Sequence, residues 1–176
     1  DYSEVIRLAK TKWNFINFEP GLVGGHCLPV DPYYLSYIAK ENKFDSIVTL
    51  AGRKTNNKME DFVFKKFISF IKLNNINLKS SKILIVGLTY KYGVSDMRNS
   101  LNLKIYNRIK KITKKVYAYD PFCKESNSIL NKYRSNFTKF DVVLFLTKGT
   151  IFKKIHKKIK SKKPKIILDP FYYYNN

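Results

Sequence analysis

From residue 79 onward the chain alternates short apolar runs with lysine-rich amphipathic stretches, and this alternation predicts its architecture. The runs Lys82–Val86, Lys115–Tyr119, Asp141–Leu146 and Lys165–Leu168 have strand length and little polar alternation, the pattern of parallel strands buried on both faces. Between them, helical periodicity covers about Asn99–Thr113, Glu125–Tyr133 and Thr150–Lys160. A βαβαβαβ order predicts an α/β fold with a Rossmann-like, doubly wound parallel sheet and right-handed crossovers. Its ligand crevice is expected outside the carboxyl ends of the strands. The turns Gly87–Val94, Asp120–Phe122 and Asp169–Phe171 supply the loops at those ends.

Before residue 79 the pattern is helical. Tyr2–Lys10 reads as the end of a helix, and a second helix is expected over 31–41, with Asp31 as N-cap, Pro32 at the first helical position and Tyr34, Leu35 and Ile38 on one side. From Asp45 to Asn74 no proline intervenes and only Gly52 is a weak point, so one helix of about 45 Å is expected at 1.5 Å per residue. Its apolar residues sit at both ends: Ile47, Leu50 and Ala51 in one patch, Phe62, Val63, Phe67, Phe70 and Ile71 in the other. Such a helix bridges two bodies or forms a subunit contact. The expected division is therefore a helical segment, 1–78, with a long connecting helix, followed by a sheet domain, 79–176.

Composition changes this picture little. A chain of 176 residues can bury one moderate core or two small ones. The formal charge of +21 raises nucleic acid as a partner, but 29 lysines against 5 arginines, with no zinc-finger spacing or RNP-like pattern, make that the minor alternative. Lys153–Lys163, the densest basic run, reads as the solvated face of a helix. Cys27 and Cys123 form no Cys-x-x-Cys pair, so neither a disulfide framework nor a metal site is indicated, and a reducing cytoplasm fits. No apolar run has transmembrane length, and membrane association is not expected.

Candidate chemistry concentrates in residues 18–35, which run Phe-Glu-Pro-Gly-Leu-Val-Gly-Gly-His-Cys-Leu-Pro-Val-Asp-Pro-Tyr-Tyr-Leu. The glycines allow a ligand to approach the main chain closely, and Cys27 follows directly behind the pair Gly24–Gly25. A thiol just before a helix start feels the positive end of the dipole, which favours the thiolate. Cys27 is the candidate nucleophile. His26 reads as a neighbour of Cys27 without a dyad role, Tyr33 and Tyr34 as packing residues, His156 as solvated within the basic helix, and Cys123 as structural.

This segment resembles the Gly-Gly-x-Cys-x-x-x-Asp motif of the UDP-glucose/GDP-mannose dehydrogenase family, in the form typical of the branch that oxidises UDP-N-acetylhexosamines. Lys82–Ser100 resembles the same family's C-terminal domain, with Gly-Leu-x-(Phe/Tyr)-Lys and Asp-x-Arg-x-Ser elements in order. The resemblance implies an NAD-dependent 6-dehydrogenase. By that resemblance a sugar C6 alcohol gives one hydride to NAD to form an aldehyde, Cys27 captures it as a thiohemiacetal, and a second hydride transfer to NAD gives a thioester. Water, with Asp31 handling protons near C6, hydrolyses the thioester to a uronic acid for cell-surface polysaccharide. It implies substrate contacts from Phe18, Glu19, Pro20, Gly21, Leu22, Val23, Gly24, Tyr90 and Lys91, and cofactor contacts from Cys27 and Arg98. It also implies a homodimer or higher homo-oligomer joined through the long helix. No Gly-x-Gly-x-x-Gly opens a strand-to-helix turn, so the N-terminal NAD-binding domain is expected to be absent and this stretch inactive alone. The alternative is a non-catalytic UDP-sugar-binding or oligomerisation remnant.

Overall fold

The computed structural model describes residues 2–123, 137, 139–161, 164, 166–171, 173 and 174. Three helices come first: α1 (Tyr2–Ala9), α2 (Cys27–Glu41) and α3 (Ile47–Leu73). The sheet and its helices follow as β1 (Ile83–Val86), α4 (Leu101–Ile112), β2 (Val116–Tyr119), β3 (Val142–Phe145), α5 (Thr150–Lys160) and β4 (Ile166–Leu168). The expected helix at 125–133 lies outside the described residues.

All strand pairs are parallel, in the order β2-β1-β3-β4. Alternate residues enter different cores. Ile83, Ile85, Val116, Ala118, Val142 and Leu144 face a layer that contains Val63, Phe67 and Ile71 of α3 and Ile105, Tyr106 and Ile109 of α4. Leu84, Val86, Val143 and Phe145 face Phe152, Ile155 and Ile159 of α5. Each face thus carries its own helical cover, which is why the strands read as unbroken apolar runs. Because the chain runs from β1 to β2 on one side and returns to β3 on the other, the order in which strands are added reverses between the parallel strands β1 and β3. That reversal opens a crevice at the carboxyl ends of those two strands.

The long helix passes straight through Gly52, beside which there is open space. Its carboxyl half is core: Val63, Phe67 and Ile71 are all buried. Its first turn is bare, with Ile47, Val48 and Leu50 exposed, as are Tyr34, Leu35 and Ile38 of α2, so Tyr34 is not the packing residue expected. The bridge expected from the two apolar patches therefore has its carboxyl patch seated through Val63, Phe67 and Ile71, with Phe62 and Phe70 exposed, and its amino patch open.

Two expectations are corrected. The second helix begins at Cys27, with His26 as N-cap and Pro32 inside it, so Asp31 is not a cap. Gly25 at φ +87° sets the turn that starts the helix early. His156 is not solvated: it is buried, stacked on Tyr174 at 5.2 Å and edge-on to Phe145 at 5.3 Å. Its spacing with Phe152, Ile155 and Ile159 places it on the buried stripe of α5, and burial lowers its pKa. The lysines of the same helix do form the exposed face, as expected.

Candidate active site at the strand ends

The loop after β1 is built before anything can dock on it. Asp120, at the end of β2, accepts hydrogen bonds through Oδ2 from the backbone N–H groups of Leu88 (2.8 Å) and Thr89 (2.9 Å) and from Thr89 Oγ1 (2.9 Å). Ser100 Oγ donates to the Leu88 carbonyl at 2.6 Å and also caps α4 by accepting from Leu103 N. Asn102, buried, donates to the Thr89 carbonyl and to Thr147 Oγ1, both at 2.9 Å, which ties the loops after β1 and β3 together. Gly87 sits at φ +90°, and a Cβ there would lie 2.5 Å from Thr147 Oγ1, so only glycine allows the two strand ends this close.

Residues 18–25 then run across these strand ends, held at one point after another. Tyr173, beyond β4, donates to the Pro20 carbonyl at 2.9 Å, and burial pushes its own phenol pKa up. Lys148, beyond β3, bridges both oxygens of Glu19 at 2.6 and 2.7 Å and holds that carboxyl below its usual range. From the loop after β1, Asn99 Nδ2 donates to the Gly25 carbonyl at 3.0 Å, while Gly25 N–H donates to the Arg98 carbonyl at 3.2 Å. A Cβ on Gly24 would meet Asn99 O at 2.7 Å and Tyr90 Cβ at 2.8 Å, and one on Gly25 would meet the Tyr90 ring at 2.9 Å. The glycine pair is thus explained by close packing on Tyr90 and Asn99.

This docking delivers Cys27, exposed, as the first residue of α2. Asp31 is also exposed and lies one helical turn further, at i+4, so thiol and carboxylate share a face about 5–6 Å apart at Cβ. Arg98 is clamped by Asp96 through Nε (3.0 and 3.1 Å) and Nη2 (2.7 Å). The same contacts pull the Asp96 carboxyl down to about 2. Leu22 packs on the core, whereas Phe18 and Lys91 are exposed. The Val23 carbonyl accepts from Asn56 of α3 at 3.3 Å. Cys123 is buried against Met97, with sulfur atoms 3.5 Å apart, which fits a structural role.

Sequence reasoning missed Lys148, Tyr173, Asn99, Asn102 and Asp120, which do most of the holding. Asp120 and Asn99 carried a usable signal, since a carboxylate ending a strand and an Asn beside a helix cap both satisfy loop N–H or C=O groups. Lys148 carried none among so many lysines. Among the described residues, no cluster of three or more His, Cys, Asp or Glu could hold a metal, and no helix is long and apolar enough to cross a membrane.

A Rossmann-like sheet whose strand ends hold a glycine loop leading into an exposed cysteine defines a two-part α/β class. Comparison with known proteins makes this specific. The family sequence model for the UDP-glucose/GDP-mannose dehydrogenase family, UDP binding domain, matches residues 84–176, and that for the same family's central domain matches residues 1–58. The chain belongs to the UDP-glucose/GDP-mannose dehydrogenase family. It is 38% identical over 122 residues to UDP-N-acetyl-D-glucosamine 6-dehydrogenase of Salmonella typhi, covering 69% of this chain and 29% of that protein. It is 34% identical over 169 residues to UDP-N-acetyl-D-mannosamine dehydrogenase of Pyrococcus horikoshii, covering 94% of this chain and 39% of that protein. The structure of the UDP-N-acetyl-mannosamine dehydrogenase Cap5O from S. aureus superposes with a TM-score of 0.72 at 29% identity, over 99% of this chain and 40% of that one. The chain therefore spans well under half the length of these relatives.

Proposed function

We propose that these residues form the central and C-terminal parts of an NAD-dependent dehydrogenase that oxidises C6 of a UDP-N-acetylhexosamine to the uronic acid. The observation that carries this reading is the docking of Gly24–Gly25 on Tyr90, Arg98 and Asn99, which presents Cys27 beside the carboxyl-end crevice of a family UDP-binding fold. In that arrangement the strand-end loops and residues 18–24, with Tyr90 and Lys91, bind the nucleotide sugar. The exposed thiol of Cys27 adds to the C6 aldehyde and retains it covalently through to the thioester. Asp31, one turn along the same face, takes the proton from the water that hydrolyses the thioester. NAD, when bound, supplies the acceptor for the two hydrides. Arg98, exposed and fixed by Asp96, offers an oriented donor fork that suits a phosphate or amide of that cofactor.

The exposed apolar faces of α2 and the first turn of α3 favour a homodimer, and the chemistry of nucleotide-sugar oxidation favours the cytoplasm. The test is Cys27→Ser in the complete protein that carries this segment, supplied with UDP-N-acetylglucosamine and NAD. Loss of uronate formation with nucleotide-sugar binding retained is expected. Normal turnover by the variant would defeat the assignment.

A further inference from the structure

Behind the cysteine loop, on the side of α2 that faces α3 and the start of α4, lies a cavity of about 330 Å³ whose wall includes Val30, Tyr33, Arg53, Asn57, Asn99 and Lys104. Its chemistry is one-sided. Arg53 is only 8% exposed, yet its Nη2 donates merely to the neutral Asn57 Oδ1 at 3.2 Å, and its Nε is buried without an acceptor. A guanidinium cannot shed its proton to escape this cost, so a buried one calls for an anion. Lys104 adds a second cation at the wall, and among the described residues no Asp or Glu lines the cavity. Asn57 Nδ2 donates to Tyr33 Oη at 3.1 Å, which leaves the phenolic hydrogen available to a further acceptor.

We propose that this cavity is an oxyanion site that takes a phosphate group, with Arg53 and Lys104 as its charges and Tyr33 as a neutral donor. It lies on the α3 side of the cysteine loop and shares Val23 and Asn99 with the strand-end site, but its charges, Arg53 and Lys104, have no part in the dehydrogenase reading. The site touches the loop that positions Cys27: Asn99, which holds the Gly25 carbonyl, and Val30, one turn from the thiol on α2, both belong to its wall. An anion seated there stiffens the docking of the cysteine loop.

The probe is inorganic phosphate, titrated into the 176-residue chain and followed by phosphorus NMR line broadening. Saturable binding is expected, weakened roughly tenfold or more by Arg53→Gln and by a smaller factor by Lys104→Gln, because charge-assisted hydrogen bonds are lost. Lys91→Gln and Lys148→Gln, at the strand ends, should leave it unchanged. If Arg53→Gln fails to fold, the exposed Lys104 decides the matter alone. Displacement by UDP with the same dependence on Lys104 identifies a nucleotide phosphate as the natural source, whereas indifference to UDP identifies free phosphate. Absence of saturable binding overturns the proposal, as does binding that survives Lys104→Gln intact or is lost in Lys91→Gln.

Discussion

Gly25→Ala is the sharpest probe of how the cysteine loop is held. The residue sits at φ +87°, where a Cβ costs about 1–2 kcal/mol. The new methyl would also stand 2.9 Å from Tyr90 Cε2, a contact only ring movement can relieve. Together these disfavour the docked loop by about 2–3 kcal/mol. The backbone N–H at position 25, bonded to the Arg98 carbonyl at 3.2 Å, reports the docking through native-state amide exchange. Its protection should fall roughly 30-fold or more. Adding Tyr90→Ala removes the ring and with it the steric part, so in the double-mutant cycle part of the loss should be recovered while the φ penalty stays. Gly24→Ala behaves differently, because its Cβ would meet Asn99 O at 2.7 Å and Tyr90 Cβ at 2.8 Å, atoms that Tyr90→Ala leaves in place. Unchanged protection in Gly25→Ala, or equal rescue of both glycine variants by Tyr90→Ala, would refute the reasoning.

Asp96 should titrate near 2 instead of near the ordinary 3.8, as followed by carboxyl NMR, and Arg98→Gln should return it toward the ordinary value. Its folded pKa is depressed, so its contribution to loop stability is present above the unfolded value and is lost as pH falls through the window from about 3.8 to about 2. Phe67→Ala removes a side chain only 2% exposed between α3 and the sheet, and should cost about 3–5 kcal/mol in urea unfolding. A cost below about 1 kcal/mol would mean that α3 is not part of the sheet's core. Arg108 of α4 reaches Glu60 at 2.9 Å and Asp61 at 3.1 Å on α3 while its guanidinium covers the Phe64 ring at 3.8 Å. Arg108→Ala should therefore cost about 1–2 kcal/mol, with only part of that cost screened by salt, since the stem and ring contact are lost too.

The sheet was legible because burial on both faces leaves an unmistakable apolar run. Ile83–Val86 and Val142–Phe145 contain no polar residue, and a charged residue, Lys82 or Asp141, marks the start of each. The long helix was legible from its length and its two patches. The start of α2 was misread because Asp31-Pro32 is a good local cap signal, whereas the real start is fixed from outside. His26 makes no side-chain cap hydrogen bond, and the turn at Gly25 is set by Asn99 and Arg98, distant in sequence. His156 could have been placed correctly, since its spacing from Phe152 and Ile159 is that of the buried stripe, but its lysine neighbours outweighed the period. For the candidate site, the motif residues were visible as residue types at fixed spacing. Their supports, Lys148 and Tyr173, were not, because nothing local distinguishes a lysine that ends up opposite Glu19 from one in water.

Those supports decide where the thiol goes. Tyr173 after β4 holds Pro20, Lys148 after β3 holds Glu19, and Tyr90, Arg98 and Asn99 after β1 hold Gly24 and Gly25. Grips on the loop from the ends of three strands fix its path across the sheet, and Cys27 follows two residues beyond the last of them. Its position is thus set by the strand-end loops, although its chain neighbours belong to α2. The grips also differ in kind. The one at Glu19 is a half-exposed ion pair, about 1 kcal/mol or less and weakened by salt. The one at Gly24–Gly25 is close backbone packing that salt does not touch. Raising the ionic strength should therefore free the loop at Glu19 first while the turn into Cys27 stays seated, so the segment opens from its far end and the cysteine is the last part to move.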